Sequence, residues 1–312
     1  MTRKPVHAVL PGSRRAARRT GRLHRPWKPL LPCPIRPLPT ATRDSLNNFA
    51  PGSIPLSMSN EAIPQLVAHR GYMAQYPENT WAALEAALEA GACWLEFDVQ
   101  RCADGHFILL HDADFSRTGG DPRSVFALDP SALQAISVHE PDRLGQRFFP
   151  MTAPGLETVL RQLATFPAAH ALVEIKDESL ERWGMENVLD ALLAILAPFR
   201  QQCTLIAYSD TALSYAQQRS ELGIGWVLRH YDPWHLQRAR QLQPRFLICN
   251  ERKIPAGETP WRGDWQWMLY DITDPEQALQ WATRGVTLIE TRDIGAMLQH
   301  PLLARKACRH GL

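Results

Sequence analysis

Residues 94–99 read Trp-Leu-Glu-Phe-Asp-Val, a stretch in which acidic and apolar side chains alternate. Side chains two positions apart on a β-strand point to the same side, so Glu96 and Asp98 share one face and the apolar residues share the other. Such a strand fits the mouth of an α/β barrel, where the apolar face packs against helices and the acidic face points inward. The pattern predicts a barrel strand that delivers two carboxylates to a polar site.

Short apolar runs recur along the chain, and amphipathic stretches of helical length separate most of them. Eight strands that alternate with helices over roughly 240 residues predict an α/β fold, a (β/α)8 TIM barrel. A doubly wound open sheet is the alternative, but its glycine-rich dinucleotide turn is absent. The predicted strands are residues 65–69, 94–100, 171–176, 204–208, 223–228, 246–249, 267–272 and 287–290. The predicted helices include residues 79–90, 180–196, 211–219, 233–242 and 275–283.

The interval 112–160, after the second predicted strand, is too long for an ordinary loop between a strand and a helix. We expect it to be a small insertion over the carboxyl-terminal face of the barrel. Active sites of such barrels lie on that face. The predicted domain is therefore a barrel over residues 61–312, with an insertion at about residues 112–160.

Residue types that serve catalysis fall at the predicted strand ends. His69 ends the first strand, and a return strand over residues 107–112 leads His111 toward the same mouth. The third strand has the same arrangement of charged side chains, because Glu174 and Lys176 lie two positions apart and share a face. Carboxylates, histidines and a lysine are thus expected to converge.

This set of residue types suits the hydrolysis of a phosphate ester. Glu96, Asp98 and Glu174 would hold one divalent cation, Mg²⁺ or Ca²⁺, since both prefer oxygen ligands and buried like charges are costly without a cation. The two histidines can divide the general base and general acid roles. Arg70 and Lys176 would supply positive charge for the phosphate. Each residue alone could be an ordinary core or surface side chain, whereas all of them at strand ends of one barrel predict a catalytic site.

Several short motifs follow one another in a specific order. They are Val67-Ala68-His69-Arg70-Gly71, Pro77-Glu78-Asn79-Thr80, Leu95-Glu96-Phe97-Asp98-Val99, Asp104-Gly105, His111-Asp112, Arg117-Thr118, Gly155-Leu156-Glu157, Val173-Glu174-Ile175-Lys176 and residues 285–291. In order and spacing they resemble the motifs of the glycerophosphodiester phosphodiesterases, over about residues 64–300.

The resemblance implies a phosphodiesterase barrel with a small insertion after strand two and a divalent metal. It also implies cleavage of glycerophosphodiesters to sn-glycerol 3-phosphate and an alcohol. Carried over by position, it implies that His69 and His111 are the acid/base pair and that Arg70 and Lys176 contact the phosphate. The implied metal ligands are Glu96, Asp98 and Glu174.

The chain departs from the family pattern at the seventh strand. The family motif there ends Trp-Thr-Val-Asn, whereas this chain has Tyr270-Asp271-Ile272-Thr273. Tyr270 is a candidate for the aromatic wall under the glycerol, with a core position as the equal alternative. The departure concerns the substrate pocket and leaves the catalytic positions unchanged.

Two other functions fit parts of the sequence. A lysophospholipase D or a sphingomyelinase-like phosphodiesterase would look similar at these motifs but needs an apolar, membrane-facing rim. The interval 112–160 contains acidic residues beside its phenylalanines, which favours a soluble small-molecule substrate. A non-catalytic barrel whose tail binds nucleic acid or a membrane is the third interpretation, and the retained chemical positions argue against it. We expect no nucleic-acid partner for the barrel, and the sequence does not indicate its oligomeric state.

Residues 1–60 differ in composition from the rest of the chain. They contain eleven Lys or Arg residues against one acid, Asp44, and ten of the 25 prolines. We expect a disordered basic tail. A nucleic-acid or anionic-lipid arm, a transit peptide and, least favoured, a secretion signal are open interpretations. In the alternative interpretation translation starts at Met58 and the tail is not expressed.

The 312 residues are 45% hydrophobic and 21% charged, which suits an enzyme-sized globular protein. No apolar run reaches the roughly 18 residues of a membrane span, so we expect no transmembrane segment. The six cysteines are scattered without a CxxC pair. The sequence therefore predicts neither a zinc site nor disulfides, but reduced thiols in a cytoplasmic protein.

Overall fold

A computed structural model describes residue 59 and residues 62–309 of the chain. Within them, eight parallel strands close into a barrel in the order β1, β11, β10, β9, β8, β7, β6 and β2, and β2 pairs back to β1. Strand β3 returns antiparallel along β2 at residues 99–101. The strands are β1 Gln65–Ala68, β2 Trp94–Arg101, β3 Phe107–Leu109, β4 Asp114–Phe115, β5 Asp121–Ser124, β6 His170–Ile175, β7 Cys203–Ala207, β8 Gly223–Val227, β9 Phe246–Asn250, β10 Gln266–Tyr270 and β11 Val286–Thr291.

Helices follow most of the barrel strands and surround the barrel. The α-helices are α1 Trp81–Glu89, α2 Ser116–Gly119, α3 Pro130–Gln134, α4 Pro141–Leu144, α5 Leu156–Leu163, α6 Asp177–Trp183, α7 Met185–Leu196, α8 Asp210–Arg219, α9 Pro233–Leu242, α10 Pro275–Thr283 and α11 Ile294–Leu298. Short 3₁₀ helices span Val125–Ala127, Ala197–Phe199, Glu251–Lys253 and Leu303–Lys306.

The predicted (β/α)8 TIM barrel is confirmed, and each of the eight predicted strands is present. The helix predicted over residues 180–196 is wrong in one respect, because it is two helices, α6 and α7. Gly184 lies between them with a φ of 83°. A positive φ is outside the α-helical region, so the chain changes direction there.

Short polar side chains cap the helices that follow barrel strands. Thr80 accepts a hydrogen bond from the Ala83 N–H, and Ser209, Asp232 and Asp274 cap α8, α9 and α10 in the same way. Each cap satisfies a backbone donor that the helix itself leaves unpaired. The strand-to-helix turns at the carboxyl-terminal mouth are fixed by these bonds.

The core has two layers that the strands separate. Side chains outside the barrel pack against the helices, and they include Leu95, Phe97 and Val99 of β2, as the alternation predicts. Side chains inside the barrel form a smaller cluster, the barrel plug. Its members are Val67, Leu172, Ile206, Val227, Phe246, Ile248, Met268 and Leu288.

The segment between β3 and α5 packs around an apolar cluster of its own. That cluster consists of Cys102, Ile108, Leu110, Phe115, Val125, Leu128, Ile136 and Val138. Helix α5 instead contributes Leu156, Val159, Leu160 and Leu163 to the outer core. The barrel therefore resumes at Leu156, before the expected end of the insertion at about residue 160.

The expectation that all cysteines are reduced is wrong for two of them. Cys93 and Cys308 form a disulfide across 215 residues of sequence, with Cα atoms 5.2 Å apart. Pairing depends on proximity in the fold, which the scattered spacing does not reveal. Cys102, Cys203 and Cys249 are buried and free. Cytoplasmic location stays a prediction, and the disulfide weighs against it because such bonds persist mainly in oxidising compartments.

The basic tail predicted for residues 1–60, including the start at Met58, lies almost wholly outside the described residues. Among the described residues, no helix combines the length and the apolar character that a membrane span requires.

Candidate active site

A cavity of about 180 Å³ opens at the carboxyl-terminal ends of the barrel strands. It lies above the barrel plug, whose Ile206, Val227, Ile248 and Met268 form its floor. All eight site residues predicted from the sequence line it, together with Tyr208, Asp271 and Glu290. The predicted eight are His69, Arg70, Glu96, Asp98, His111, Glu174, Lys176 and Tyr270.

Three carboxylates form the centre of the site. Oxygen atoms of Glu96, Asp98 and Glu174 lie within 4.8 Å of one another, and the three residues are 2%, 2% and 9% exposed. Burial raises the pKa of Glu96, and the nearby charge of Asp98 raises it further. One oxygen of Glu96, Oε1, is buried without a hydrogen-bond partner. Clustered oxygens with an unpartnered member fit a hard divalent cation.

Asp98 is the most tightly held of the three carboxylates. Its Oδ2 accepts a hydrogen bond from the Asn79 side chain at 2.9 Å, and its own N–H donates to Asn79 Oδ1 at 3.0 Å. Arg70 Nε lies 3.0 Å from Oδ2, and Lys176 Nζ lies 3.3 Å from Oδ1. Burial alone would raise the pKa of Asp98, but Arg70 and Lys176 hold it well below its usual value. Asp98 is therefore ionised at neutral pH.

The turn after β1 places a backbone donor in the site. Arg70 has a φ of 52°, and its N–H donates to Glu96 Oε2 at 3.1 Å. Gly71 follows with a φ of 79°, and a Cβ there would lie 2.4 Å from the carbonyl carbon of Ala83. Only glycine fits this contact with α1, so the strained conformation of Arg70 is enforced by the fold.

Glu78 joins the site to the segment after β3, a role that the sequence analysis did not assign. It accepts hydrogen bonds from Arg70 at 2.8 Å and from two nitrogens of Arg117 at 2.7 Å. Its N–H donates to Glu140 at 2.7 Å. Burial opposes ionisation, but Arg117 and Arg70 lower the pKa of Glu78 below its usual value. The sequence did contain a signal for this link. Glu78 is the acidic residue of the motif at residues 77–80, and Arg117 belongs to a later motif.

The two histidines have different surroundings. His69 Nε2 lies 3.9 Å from Glu96 Oε2, and burial followed by the charge of Arg70 lowers the His69 pKa to about 3. His111 Nδ1 lies 2.6 Å from Asp112 Oδ1. The hydrogen bond from His111, aided by Arg117, lowers the pKa of Asp112 to about 2. An ionised carboxylate can only accept, so Nδ1 of His111 carries the hydrogen of this bond and Nε2 is the ring nitrogen left for another partner.

Lys176 and Tyr270 also lie where the sequence predicts. Lys176 Nζ donates to Glu174 at 2.7 Å, and although burial disfavours its charge, Asp98 and Glu174 raise its pKa. The Tyr270 hydroxyl lies 3.3 Å from that of Tyr208, so the two rings form one wall of the cavity. Tyr270 also packs against the barrel plug, which combines the two positions considered for it.

Glu290 is a fourth buried carboxylate, and sequence reasoning assigned it no role. It belongs to β11, is 4% exposed, and its Oε1 has no hydrogen-bond partner. Burial and then Glu174 raise its pKa well above the usual value. One of its oxygens lies within 4.8 Å of ligand atoms of His69 and Glu96. The missed signal was an acid near the carboxyl-terminal end of a barrel strand, the pattern already used for β2.

Comparison with known proteins identifies relatives. The glycerophosphoryl diester phosphodiesterase family model matches residues 69–291, more than half of the chain. A glycerophosphodiester phosphodiesterase of Caldanaerobacter subterraneus subsp. tengcongensis is 47% identical over 174 residues, which are 55% of this chain and 70% of that protein. The uncharacterized protein YqiK of Bacillus subtilis is 33% identical over 131 residues, 42% of this chain. The chain spans about half of YqiK, 53% of its length.

A solved structure shares the fold. It is an Oleispira antarctica phosphodiesterase in complex with the product sn-glycerol-3-phosphate, with a TM-score of 0.65 and 22% sequence identity. The match covers 76% of this chain and 96% of that one. With the family match over residues 69–291, these findings show that the chain belongs to the glycerophosphoryl diester phosphodiesterase family.

Proposed function

We propose that the protein hydrolyses glycerophosphodiesters to sn-glycerol 3-phosphate and an alcohol, with one divalent cation, Mg²⁺ or Ca²⁺. The observation behind the proposal is that one cavity at the barrel mouth holds two histidines, three clustered carboxylates, an arginine and a lysine. The family match supports the reaction class. The Oleispira antarctica phosphodiesterase, whose fold is similar, was solved in complex with the same product.

Glu96, Asp98 and Glu174 are the residues that would hold the cation. The unpartnered Oε1 of Glu96 supports this assignment, because a buried carboxylate oxygen without a donor is otherwise costly. A bound divalent cation polarises a phosphoryl oxygen and offsets the negative charge that develops in the transition state. Lys176, Arg70 and Asn79 keep the carboxylates in place, since all three contact Asp98.

His111 is assigned as the general acid and His69 as the general base. Asp112 holds the His111 ring through Nδ1, which leaves Nε2 as the ring nitrogen that would pass a proton to the leaving alcohol. In the proposed step, an oxygen of water or of the substrate's glycerol attacks phosphorus and its proton passes to His69. The bond from phosphorus to the alcohol oxygen breaks, and that oxygen takes its proton from His111. Attack by water gives sn-glycerol 3-phosphate directly. Attack by the glycerol hydroxyl gives a cyclic phosphate, which a water then opens to sn-glycerol 3-phosphate with the two histidines in exchanged roles.

Arg70 and Lys176 are proposed to contact the phosphate. Both line the cavity, and each also contacts a carboxylate of the cluster. Their charges are thereby fixed in position before substrate binds, so little reorganisation is needed when the phosphate arrives. Tyr270, with Tyr208, is proposed as the aromatic wall against the glycerol carbons.

A soluble diester is favoured over a lipid substrate. Among the described residues, the exposed large apolar side chains are Phe149 and Trp234, which lie in different segments and do not form a membrane-facing rim. The lysophospholipase D and sphingomyelinase-like alternatives lack this support.

The test is release of sn-glycerol 3-phosphate from glycerophosphocholine and glycerophosphoethanolamine by the full chain. Activity should disappear with EDTA and return with Mg²⁺ or Ca²⁺, and the ion that restores it identifies the cofactor. A protein with both His69→Ala and His111→Ala, purified in the same way, controls for contaminating phosphodiesterase. A folded protein that hydrolyses neither diester with either ion would overturn the proposal.

A further inference from the structure

Glu290 is a buried acid that the mechanism above does not use. It lies on β11, only 4% of its surface is exposed, and its Oε1 has no hydrogen-bond partner within the described part of the chain. Buried carboxylates in folded proteins are nearly always hydrogen-bonded or paired with a positive charge. The position of Glu290 therefore calls for a partner that is not one of the described residues.

The register of the strands places Glu290 beside two other potential metal ligands. Glu290 pairs with Val67 of β1, two residues before His69. His69 and Glu96 each come directly after a registered pair of β1 and β2, so they lie side by side on neighbouring strands. His69 Nε2 is 3.9 Å from Glu96 Oε2, and ligand atoms of His69, Glu96 and Glu290 lie within 4.8 Å of one another. We call these three residues the β11-side cluster.

The β11-side cluster differs in its charge balance from the rest of the cavity. Lys176 forms ion pairs with Asp98 at 3.3 Å and with Glu174 at 2.7 Å. The described carboxylate oxygens of the cavity that are buried without a partner are Oε1 of Glu96 and Oε1 of Glu290. Both belong to the β11-side cluster. Uncompensated negative charge is therefore concentrated on this side of the cavity.

The residue types of the β11-side cluster suit a transition-metal cation better than Mg²⁺ or Ca²⁺. Mg²⁺ and Ca²⁺ take oxygen ligands, whereas Zn²⁺ also binds an imidazole nitrogen well. One imidazole and two carboxylates provide three protein ligands, the number found in zinc sites that keep one open position. A carboxylate has two oxygens, so Glu96 can contribute to this cluster and to the cluster that it forms with Asp98 and Glu174.

We propose that His69, Glu96 and Glu290 bind a second cation, Zn²⁺, and that this cation inhibits the enzyme. The binding site stands on its own geometry, whereas the inhibition rests on the proposed function. A zinc ion on Nε2 occupies the lone pair with which His69 would accept a proton from the attacking oxygen. The bound zinc therefore removes the general base while Asp98 and Glu174 remain free to hold the first cation.

The test of binding is calorimetric titration of Zn²⁺ into the full chain in the presence of saturating Mg²⁺ or Ca²⁺. We expect Glu290→Gln and His69→Ala each to weaken one zinc site by about 100-fold. Zinc sites elsewhere on the chain are the same in all of these proteins, so the difference isolates the β11-side cluster. Both variants should keep an affinity for Mg²⁺ or Ca²⁺ near that of the wild type, because neither residue belongs to the cluster of Glu96, Asp98 and Glu174.

The test of inhibition is release of sn-glycerol 3-phosphate from glycerophosphocholine at increasing Zn²⁺, again with Mg²⁺ or Ca²⁺ saturating. The zinc concentration that halves activity should rise about 100-fold in Glu290→Gln, in line with the loss of affinity. Each protein is compared with itself in the absence of zinc. A change in the basal activity of the variant therefore does not enter the comparison.

Asp271→Asn is the matched control. Asp271 lines the same cavity and the substitution again replaces a carboxylate with an amide. Its side chain lies outside the β11-side cluster and accepts a hydrogen bond from Asn250 at 2.7 Å. This variant should keep the zinc affinity and the zinc inhibition of the wild type.

The outcomes separate the two proposals. Equal zinc affinity of the wild type and Glu290→Gln would overturn the site. Inhibition that excess Mg²⁺ or Ca²⁺ abolishes and that Glu290→Gln leaves intact would mean that zinc displaces the first cation, which also overturns it. Zinc binding that depends on Glu290 but does not inhibit would overturn the inhibitory role. A folded protein that hydrolyses neither diester would overturn the proposed function, and the zinc titration would still decide the site.

Discussion

The mouth and the base of the barrel interior are built from opposite chemistry. The base is the apolar plug, in which rings and branched side chains such as Phe246 and Leu172 are fully buried. The mouth holds Glu96, Asp98, Glu174 and Glu290, each at most 9% exposed, against the buried Lys176 and the nearby Arg70. Two of these carboxylates have an oxygen without a hydrogen-bond partner.

The contrast indicates where this fold gains stability and where it gives stability up. Burial of apolar area at the base contributes about 25 cal/mol per Å². At the mouth, like charges are held together and Arg70 has a φ of 52°, both of which cost free energy. We therefore expect substitutions at the base to lower stability and retain activity. Substitutions at the mouth should lower activity and retain stability.

The largest effect is expected for Glu96→Gln. Loss of one carboxylate ligand should weaken cation binding and lower kcat/KM by about 10⁴-fold, because the cation contributes several kcal/mol to the transition state. In EDTA the variant should be more stable than the wild type by about 1 kcal/mol, since like-charge repulsion is relieved and the amide oxygen still accepts from the Arg70 N–H. Calorimetric titration of metal and thermal unfolding measure the two parts. Full activity with bound metal would reject Glu96 as a ligand.

His111→Ala should separate chemistry from metal binding within the mouth. The expected fall in kcat is about 10³-fold, the usual range for a lost general acid. Affinity for the cation should stay near that of the wild type, because His111 does not belong to the carboxylate cluster. Metal titration and steady-state kinetics on the same preparation check this. A variant that loses the metal would instead make His111 a ligand.

Phe246→Ala tests the base. The ring is fully buried and packs edge-on against Trp94, with centroids 5.5 Å apart. Its loss should lower the free energy of unfolding by about 3–5 kcal/mol through the cavity that it leaves. Activity per folded molecule should change little at a temperature below the melting transition. A large fall in kcat with unchanged stability would contradict the division between base and mouth.

Cys308→Ser tests the disulfide that ties the carboxyl-terminal segment to Cys93, just before β2. Removal of a cross-link that closes 215 residues should cost about 2–4 kcal/mol of stability. Chemical denaturation with and without reductant measures the effect, and reductant should have no further effect on the variant. Identical midpoints for oxidised and reduced wild type would show that the bond is not formed in solution.

Asp112→Asn gives the smallest effect on stability, and this effect depends on pH. The folded pKa of Asp112 is about 2, below the usual 3.8, so its ionised form stabilises the folded protein above pH 4. That contribution, about 1 kcal/mol for a partly exposed group, should decline as the pH falls from 4 toward 2. The difference in unfolding free energy between wild type and variant, measured from pH 7 down to pH 2, follows this decline. A difference that grows on acidification would have the wrong sign.

Much of the site can be predicted because it depends on local periodicity. Alternation along residues 94–99 is enough to put Glu96 and Asp98 on one face, and a parallel barrel brings the ends of all strands to one mouth. Periodicity misleads over residues 180–196, where the apolar spacing persists across Gly184 and so predicts one continuous helix. The φ of that glycine depends on how α6 and α7 pack against the barrel.

The barrel and its eight strands follow from the sequence alone, because strand and helix periods are properties of neighbouring residues. The site residues were predicted from strand ends and from the motifs that resemble the family, and Tyr270 was predicted from the resemblance only. Contacts between distant segments are set only by the folded structure. These are the disulfide of Cys93 with Cys308, the approach of Glu290 to His69, and the link of Arg117 to Glu78. Each depends on the direction in which a strand or turn leaves the barrel, and no period in the sequence encodes that direction.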